Sequence, residues 1–298
     1  MKKPNFFIVG APKCGTTALS EYLNSHSNIF ITKPKEPEYF NPDIKTIKYT
    51  SMEAYLELYA TSKPQHSAVG EASSSYLSSP NALYNIYKFN KNAKIIIMIR
   101  NPIDMAYSLF SQLKYQLDED QEDFEMAWKF QEIRKQGKKL PPYNTEPSLL
   151  QYGSLCKLGQ QLEQTYSIFS KNQVKVIVFD DFLEFTRQVY IDTLLFLGVN
   201  DNGRLEFPKI NENKSYHFYR LHVFIKRPPS FLKSIINYYK SIQFIKNYTI
   251  QKIDEINKRK FQRPPLTAEF RQELADYFRN DVKRLSELLD RDLMHWVE

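Results

Sequence analysis

The chain has 298 residues, of which 42% are hydrophobic, enough for one large domain with a substantial core and too apolar for a disordered chain. No stretch approaches the ~20 consecutive apolar residues that span a bilayer, and two cysteines, Cys14 and Cys156, with no Cys/His cluster at ligand spacing, exclude a disulfide framework and a zinc site. The net charge of +7 is uneven: between Lys209 and Arg263 thirteen Lys/Arg stand against three Asp/Glu, which suits a polyanionic partner such as a nucleotide, acidic glycan, nucleic acid or anionic membrane face, or more plainly a solvated helical face.

Met1-Lys2-Lys3-Pro4 passes at once into Asn5-Phe6-Phe7-Ile8-Val9, an apolar run too short for a secretion signal, so a cytoplasmic location is expected. Phe6 to Val9 reads as a buried strand and Thr16 to Asn24 as a helix. Between them, Gly10-Ala11-Pro12-Lys13-Cys14-Gly15-Thr16-Thr17 is a glycine-bounded turn that aims backbone N–H groups and the positive end of a helix dipole at one point. A phosphate fits there. The Gly10-x4-Gly15 spacing is that of a nucleoside-triphosphate loop, but Thr16 stands where such a loop needs lysine, and the lysine lies inside the turn at Lys13. A purely structural strand-to-helix turn is the alternative for this segment alone.

Helical patterns follow at Met52 to Ala60 and Ala82 to Phe89, then a strand at Ile95 to Ile99. Arg100 ends that strand, and Pro102 starts a helix running to Lys114 that carries Ser108 two turns in. Ligands of open α/β sheets sit beyond the carboxyl ends of strands, so Arg100 is expected to face the same crevice as Lys13 and to grip a second phosphate, unless it is spent on a neighbouring acid. Further helices are predicted at Phe124 to Gln136, Leu158 to Phe169 and Phe182 to Leu197, with a strand at Val174 to Phe179 and a surface loop from Pro141 through Pro147. Arg227-Pro228-Pro229 and Arg263-Pro264-Pro265 bracket a separate amphipathic helical segment with Leu232, Ile235, Ile236, Tyr239, Ile242 and Ile245 on one face. Short strands alternating with longer helices predict an α/β fold.

Pro12-Lys13-Cys14-Gly15-Thr16-Thr17 after the first strand, and Arg100-Asn101-Pro102 with Ser108 eight residues past the arginine, resemble the two donor-binding motifs of the sulfotransferases that use 3′-phosphoadenosine 5′-phosphosulfate (PAPS). Asp281 through Leu293 and Trp296 are similar to the helix end of that family, and Leu23-x2-His26, Lys35-Glu36-x3-Phe40, Gly70-Glu71-Ala72-Ser73 and Phe196-Leu197-Gly198 occur in the family's order, so the resemblance covers essentially the whole chain. It implies a P-loop-type parallel sheet flanked by helices on both faces, in one domain over 1–298, with the basic helical segment at about 209–263 as a lid.

The resemblance also implies roles. Lys13, Cys14, Gly15, Thr16 and Thr17 would hold the 5′-phosphosulfate, Arg100 and Ser108 the 3′-phosphate, and Glu36 would be the base for an acceptor hydroxyl or N-hydroxyl while Lys13 stabilises the leaving phosphate. Lys214, Arg220, Lys226 and Arg227 are candidates for a further phosphate contact. Pro34 and Pro37 are expected to hold Glu36 on a stiff extended turn, where it shares a face with Glu38 and raises one of the two pKa values. His26 reads as structural, and His66 is a weaker option for the base. Relatives that modify glycans usually carry lysine after Gly-Glu, where this chain has Ala72, so that charge must come from elsewhere or be absent. PAPS would be the co-substrate, adenosine 3′,5′-bisphosphate (PAP) its product, with no metal, a small-molecule or saccharide acceptor, no nucleic acid and no stable membrane insertion. Two competing readings are a P-loop kinase or nucleoside triphosphatase, disfavoured by Thr16, and a basic nucleic-acid-binding module, which leaves two anion loops unexplained.

Overall fold

A computed structural model describes residues 2–45, 48–210, 214–216, 218–226, 257–260 and 263–298. Strand β1 (Phe6–Gly10) runs into helix α1 (Thr16–Asn24), followed by β2 (Ile29–Ile31), α2 (Met52–Glu57), β3 (Ala68–Ala72), α3 (Pro80–Phe89), β4 (Lys94–Ile99) and α4 (Pro102–Gln116). Short helices α5 (Phe124–Lys129), α6 (Gln131–Lys135) and α7 (Tyr152–Leu155) precede α8 (Leu158–Ile168), β5 (Val174–Val178), α9 (Phe179–Glu184) and α10 (Thr186–Leu197). Then come β6 (Lys214–Tyr216), α11 (Tyr219–Lys226), β7 (Lys258–Lys260) and the long α12 (Ala268–Leu289).

Five strands form one sheet in the order β2-β3-β1-β4-β5, every neighbouring pair parallel, with Phe7 opposite Glu71 on one side and Ile95 on the other. Phe6 to Val9 and Ile95 to Ile99 have no exposed surface, as expected of unbroken apolar strands covered on both faces. The chain leaves β1 towards β2 and β3 on one side, then crosses to β4 and β5 on the other. The carboxyl end of β1 is therefore a topological switch point, where such folds open a ligand crevice. β6 and β7 pair antiparallel as a separate ribbon, Lys214 opposite Lys260.

Predicted and observed elements differ where local pattern is weak. β2 has three residues, and β3 reads Ala-Val-Gly-Glu-Ala, poor in β-formers, so neither announces itself as a strand. Gly70 is required there: a Cβ would stand 2.5 Å from the Phe6 carbonyl oxygen. The helix expected at Phe124 to Gln136 breaks at Phe130, and that at Phe182 to Leu197 begins at Phe179 and breaks at Phe185. The strand expected to reach Phe179 ends at Val178 for the same reason.

Helix α12 is capped by Thr267, whose hydroxyl accepts the Phe270 N–H at 3.2 Å, and it buries Phe270, Leu274, Phe278, Val282 and Leu285. It packs along α8 with Gly159 at the contact, because a Cβ there would lie 2.3 Å from the Asp281 carbonyl oxygen. The Asp281 carboxylate accepts the Gly159 and Gln160 N–H groups at 2.8 and 2.9 Å, which caps the amino end of α8. Most of the amphipathic segment between Arg227 and Arg263 lies outside the described residues. No helix among the described residues is long and apolar enough to cross a membrane.

Candidate active site

The turn after β1 is shaped by two glycines. A Cβ on Gly10 would meet the Leu77 Cβ at 2.6 Å, and Gly15 holds φ 90° with the Phe179 ring 3.0 Å from where its Cβ would stand. Gly15 is the N-cap of α1, with no side chain capping the helix and no acidic residue in its first turn. The first-turn amides at Thr16, Thr17 and Ala18 thus face the turn, the arrangement that binds anions. The Ala11 N–H ties the turn to β4 through the Met98 carbonyl at 2.8 Å.

Three cations meet beside it. Lys13 Nζ donates to Gln112 Oε1 at 2.8 Å, and burial, then the charges of Arg263 and Arg100, pull its pKa down to about 8. The Arg100 guanidinium stacks 4.8 Å from the Phe179 ring centroid, donates to the Lys13 carbonyl at 3.5 Å and stands 3.9 Å from Asp104. That acid is distant and half exposed, so Arg100 keeps most of its hydrogen-bonding capacity. Arg263 lies 5.3 Å from the Tyr107 ring centroid, and its Nη1 is buried with no hydrogen-bond partner among the described residues. Burial, then Arg100, lowers its pKa. Partly buried like charges placed close together, with a donor left unpaired among the described residues, fit an anion.

Arg263 is the residue that sequence reading did not select. Its signal is the position before Pro264-Pro265, where the Pro264 carbonyl accepts the Tyr107 hydroxyl at 2.9 Å and fixes the segment against α4. Ser108, one residue further along α4, is buried. Lys214 is on β6, Arg220 and Lys226 on α11, and Arg227 lies outside the described residues. Cys14 contributes backbone only, since burial pushes its thiol up to about 12 and its Sγ lies 3.7 Å from Met105 Sδ. The chain terminus supports the site from behind: the Trp296 carbonyl accepts the Asn101 side-chain N–H at 3.1 Å, and Asn101 is the N-cap of α4.

The second half of the site is the turn at Lys35 to Glu38. It is not the extended segment predicted from its prolines, because Glu36 and Glu38 both adopt left-handed backbone, φ 59° and 56°. The Glu36 N–H donates to the Ala72 carbonyl at 3.1 Å, so the turn docks on the carboxyl end of β3. Glu36 Oε2 accepts the Ser74 N–H at 2.7 Å, and Oε1 accepts the Ser74 hydroxyl at 3.1 Å and Lys35 Nζ at 2.6 Å. Lys35 Nζ is also 3.3 Å from Thr16 Oγ1. The Glu36 carboxylate is therefore joined to the anion turn through one side chain. Glu38 carries the raised pKa of the pair, from burial first and the Glu36 charge second.

Behind this turn Glu71 is buried, its carboxylate accepting the hydroxyls of Tyr55 at 2.6 Å, Tyr59 at 3.2 Å and Ser73 at 3.3 Å, and burial lifts its pKa to about 7. His66 precedes the amino end of β3, a strand length from Glu36, and its Nδ1 accepts the Lys63 N–H at 2.9 Å, which removes it as a base. His26 uses both ring nitrogens, on the Asn200 carbonyl and the Asn28 N–H, each at 3.0 Å, in keeping with a structural role. Among the described residues no three His, Cys, Asp or Glu are placed to hold a metal ion.

Residues 3–279 match a family model described as the sulfotransferase domain. Similar proteins include the membrane-associated sulfotransferase kil1 of Dictyostelium discoideum, 33% identical over 109 residues that cover 36% of this chain and 22% of that protein. Bifunctional heparan sulfate N-deacetylase/N-sulfotransferase 4 of Mus musculus is 25% identical over 297 residues, 97% of this chain and 30% of its own length. The curated relatives are thus several times longer than the part this chain matches. A crystal structure of a sulfotransferase from Alicyclobacillus acidocaldarius superposes with a TM-score of 0.73 at 28% identity, covering 100% of both chains.

Proposed function

This chain belongs to the sulfotransferase family, and on that premise we propose that it moves a sulfuryl group from PAPS to a hydroxyl or N-hydroxyl of a small-molecule or saccharide acceptor. The observation that carries this reading is the convergence of Lys13, Arg100 and Arg263 beside an uncapped helix start, with Glu36 joined to the same turn through Lys35. Two anionic groups suit it. The turn, with the hydroxyls of Thr16 and Thr17, takes the 5′-phosphosulfate, and Arg100, Arg263 and Ser108 take the 3′-phosphate. We assign to Arg263 the role for which Lys214, Arg220, Lys226 and Arg227 are the sequence candidates.

In the transfer, the acceptor oxygen bonds to sulfur while the bond from sulfur to the bridging phosphate oxygen breaks and that oxygen keeps the electron pair. Glu36 accepts the hydroxyl proton, and its two Ser74 contacts hold the carboxylate in place for it. Lys13, an ammonium below about pH 8, stabilises charge on the leaving phosphate. We read the protein as cytoplasmic. The test is incubation with PAPS and a panel of alcohols, saccharides and N-hydroxyl compounds. Transfer adds ~80 mass units to an acceptor, and the gain forms at least ~10²-fold more slowly in Glu36→Gln at aliphatic hydroxyls. A mass gain from ATP instead, as phosphate, would refute the donor assignment.

A further inference from the structure

Lys35 Nζ touches two groups near the carboxyl ends of β1 and β3: Thr16 Oγ1 at 3.3 Å and Glu36 Oε1 at 2.6 Å. Under the donor reading given above, on which this inference rests, Thr16 faces the phosphosulfate and Glu36 faces the acceptor hydroxyl. The sulfuryl group must pass between them. A cation in contact with both ends of that path is within reach of the oxygens that move along it.

The other cations of the site among the described residues have partners of their own. Lys13 is held by Gln112, Arg100 stacks on Phe179, and Arg263 stacks on Tyr107. Lys48 donates to the Glu36 backbone carbonyl at 2.7 Å, away from the carboxylate. Ala72, at the end of β3, is buried and brings no charge, and its carbonyl receives the Glu36 N–H, so the turn carrying Lys35 docks on the strand end. Lys35 thus supplies a cation on the acceptor side of the anion turn, where the strand supplies none. Its side chain is 25% exposed, shielded enough to act on a bound anion and open enough to move with it.

We propose that Lys35 is a catalytic residue that contacts the sulfuryl oxygens of the bound donor. As the acceptor proton passes to Glu36, that carboxylate loses its charge and its hold on Lys35, and the ammonium stays on the sulfuryl oxygens while the electron pair of the broken bond goes to the phosphate. The contact requires the sulfuryl group, so it distinguishes PAPS from PAP, which lacks it.

The experiment is calorimetric titration of the full chain and of Lys35→Met with PAPS and, separately, with PAP. Loss of a charge-assisted hydrogen bond weakens PAPS by about tenfold or more in Lys35→Met, while PAP stays within about threefold, and Lys35→Arg keeps most of the PAPS affinity. Equal weakening of both ligands would make Lys35 a support of the turn and overturn the proposal, as would an unchanged PAPS affinity. An unaltered chain that binds neither ligand would refute the donor reading itself, a separate result.

Discussion

At the residue scale the site is governed by charges held close together. Lys13 is half deprotonated at about pH 8 because burial and two guanidiniums oppose its charge, and a bound phosphate would restore the proton. Affinity for PAP is therefore level below pH 8 and falls above it, by up to about tenfold per pH unit, since binding must then take up one proton. Titrations from pH 6.5 to 9.5 should show the fall in the natural chain and its absence in Lys13→Ala; identical profiles would remove Lys13 from the phosphate. For the base, Glu36→Gln should lower kcat on an aliphatic alcohol by roughly 10² to 10⁴ with donor affinity kept, and Glu38→Gln much less. Equal losses would undo the choice between them. Lys13, Arg100 and Glu36 are legible in the sequence because each belongs to a short motif. Arg263 is not, because its place before Pro264-Pro265 marks a segment boundary, while the Nη1 without a partner among the described residues and the ring 5.3 Å away are products of tertiary packing.

At the scale of elements, the apolar runs of β1, β4 and β5 and the capped amphipathic helices can be read along the chain. β3 cannot, since its Gly70 is needed for the approach of Phe6 and its Glu71 is accepted only inside a cage of hydroxyls. The turn at Glu36 is misread as extended because its two left-handed residues are set by docking on Ala72 and Ser74 rather than by its prolines. The segment after α4 is fixed by another buried charge: Arg134 of α6 grips Glu119 with bonds of 2.6 and 2.7 Å, and the Tyr152 hydroxyl at α7 donates to the same carboxylate at 2.7 Å. Both ionic side chains are fully buried. Arg134→Ala leaves Glu119 uncompensated and should cost about 3–5 kcal/mol in urea unfolding, while Arg134→Met with Glu119→Leu should recover most of it. A loss below about 1 kcal/mol in the single variant would show that the pair does not order these helices.

For the whole molecule, the sheet order places the anion turn, Arg100 and the Glu36 turn at one switch point, and α12 with the chain terminus holds α4 from behind. Discrimination by the 3′-phosphate then depends on a segment distant in sequence from the turn. Arg263→Ala should weaken PAP by roughly 1.5 to 3 kcal/mol and leave AMP, which has no 3′-phosphate, nearly unchanged. Equal effects on the two nucleotides would place that phosphate elsewhere. A turn with cations beside it that is built for a nucleotide with phosphates at both ends of the ribose should prefer PAP to ATP when the natural chain is titrated with each under identical conditions. PAP should bind at least tenfold tighter and should not be displaced by an equal concentration of ATP; equal or tighter binding of ATP would overturn that reading.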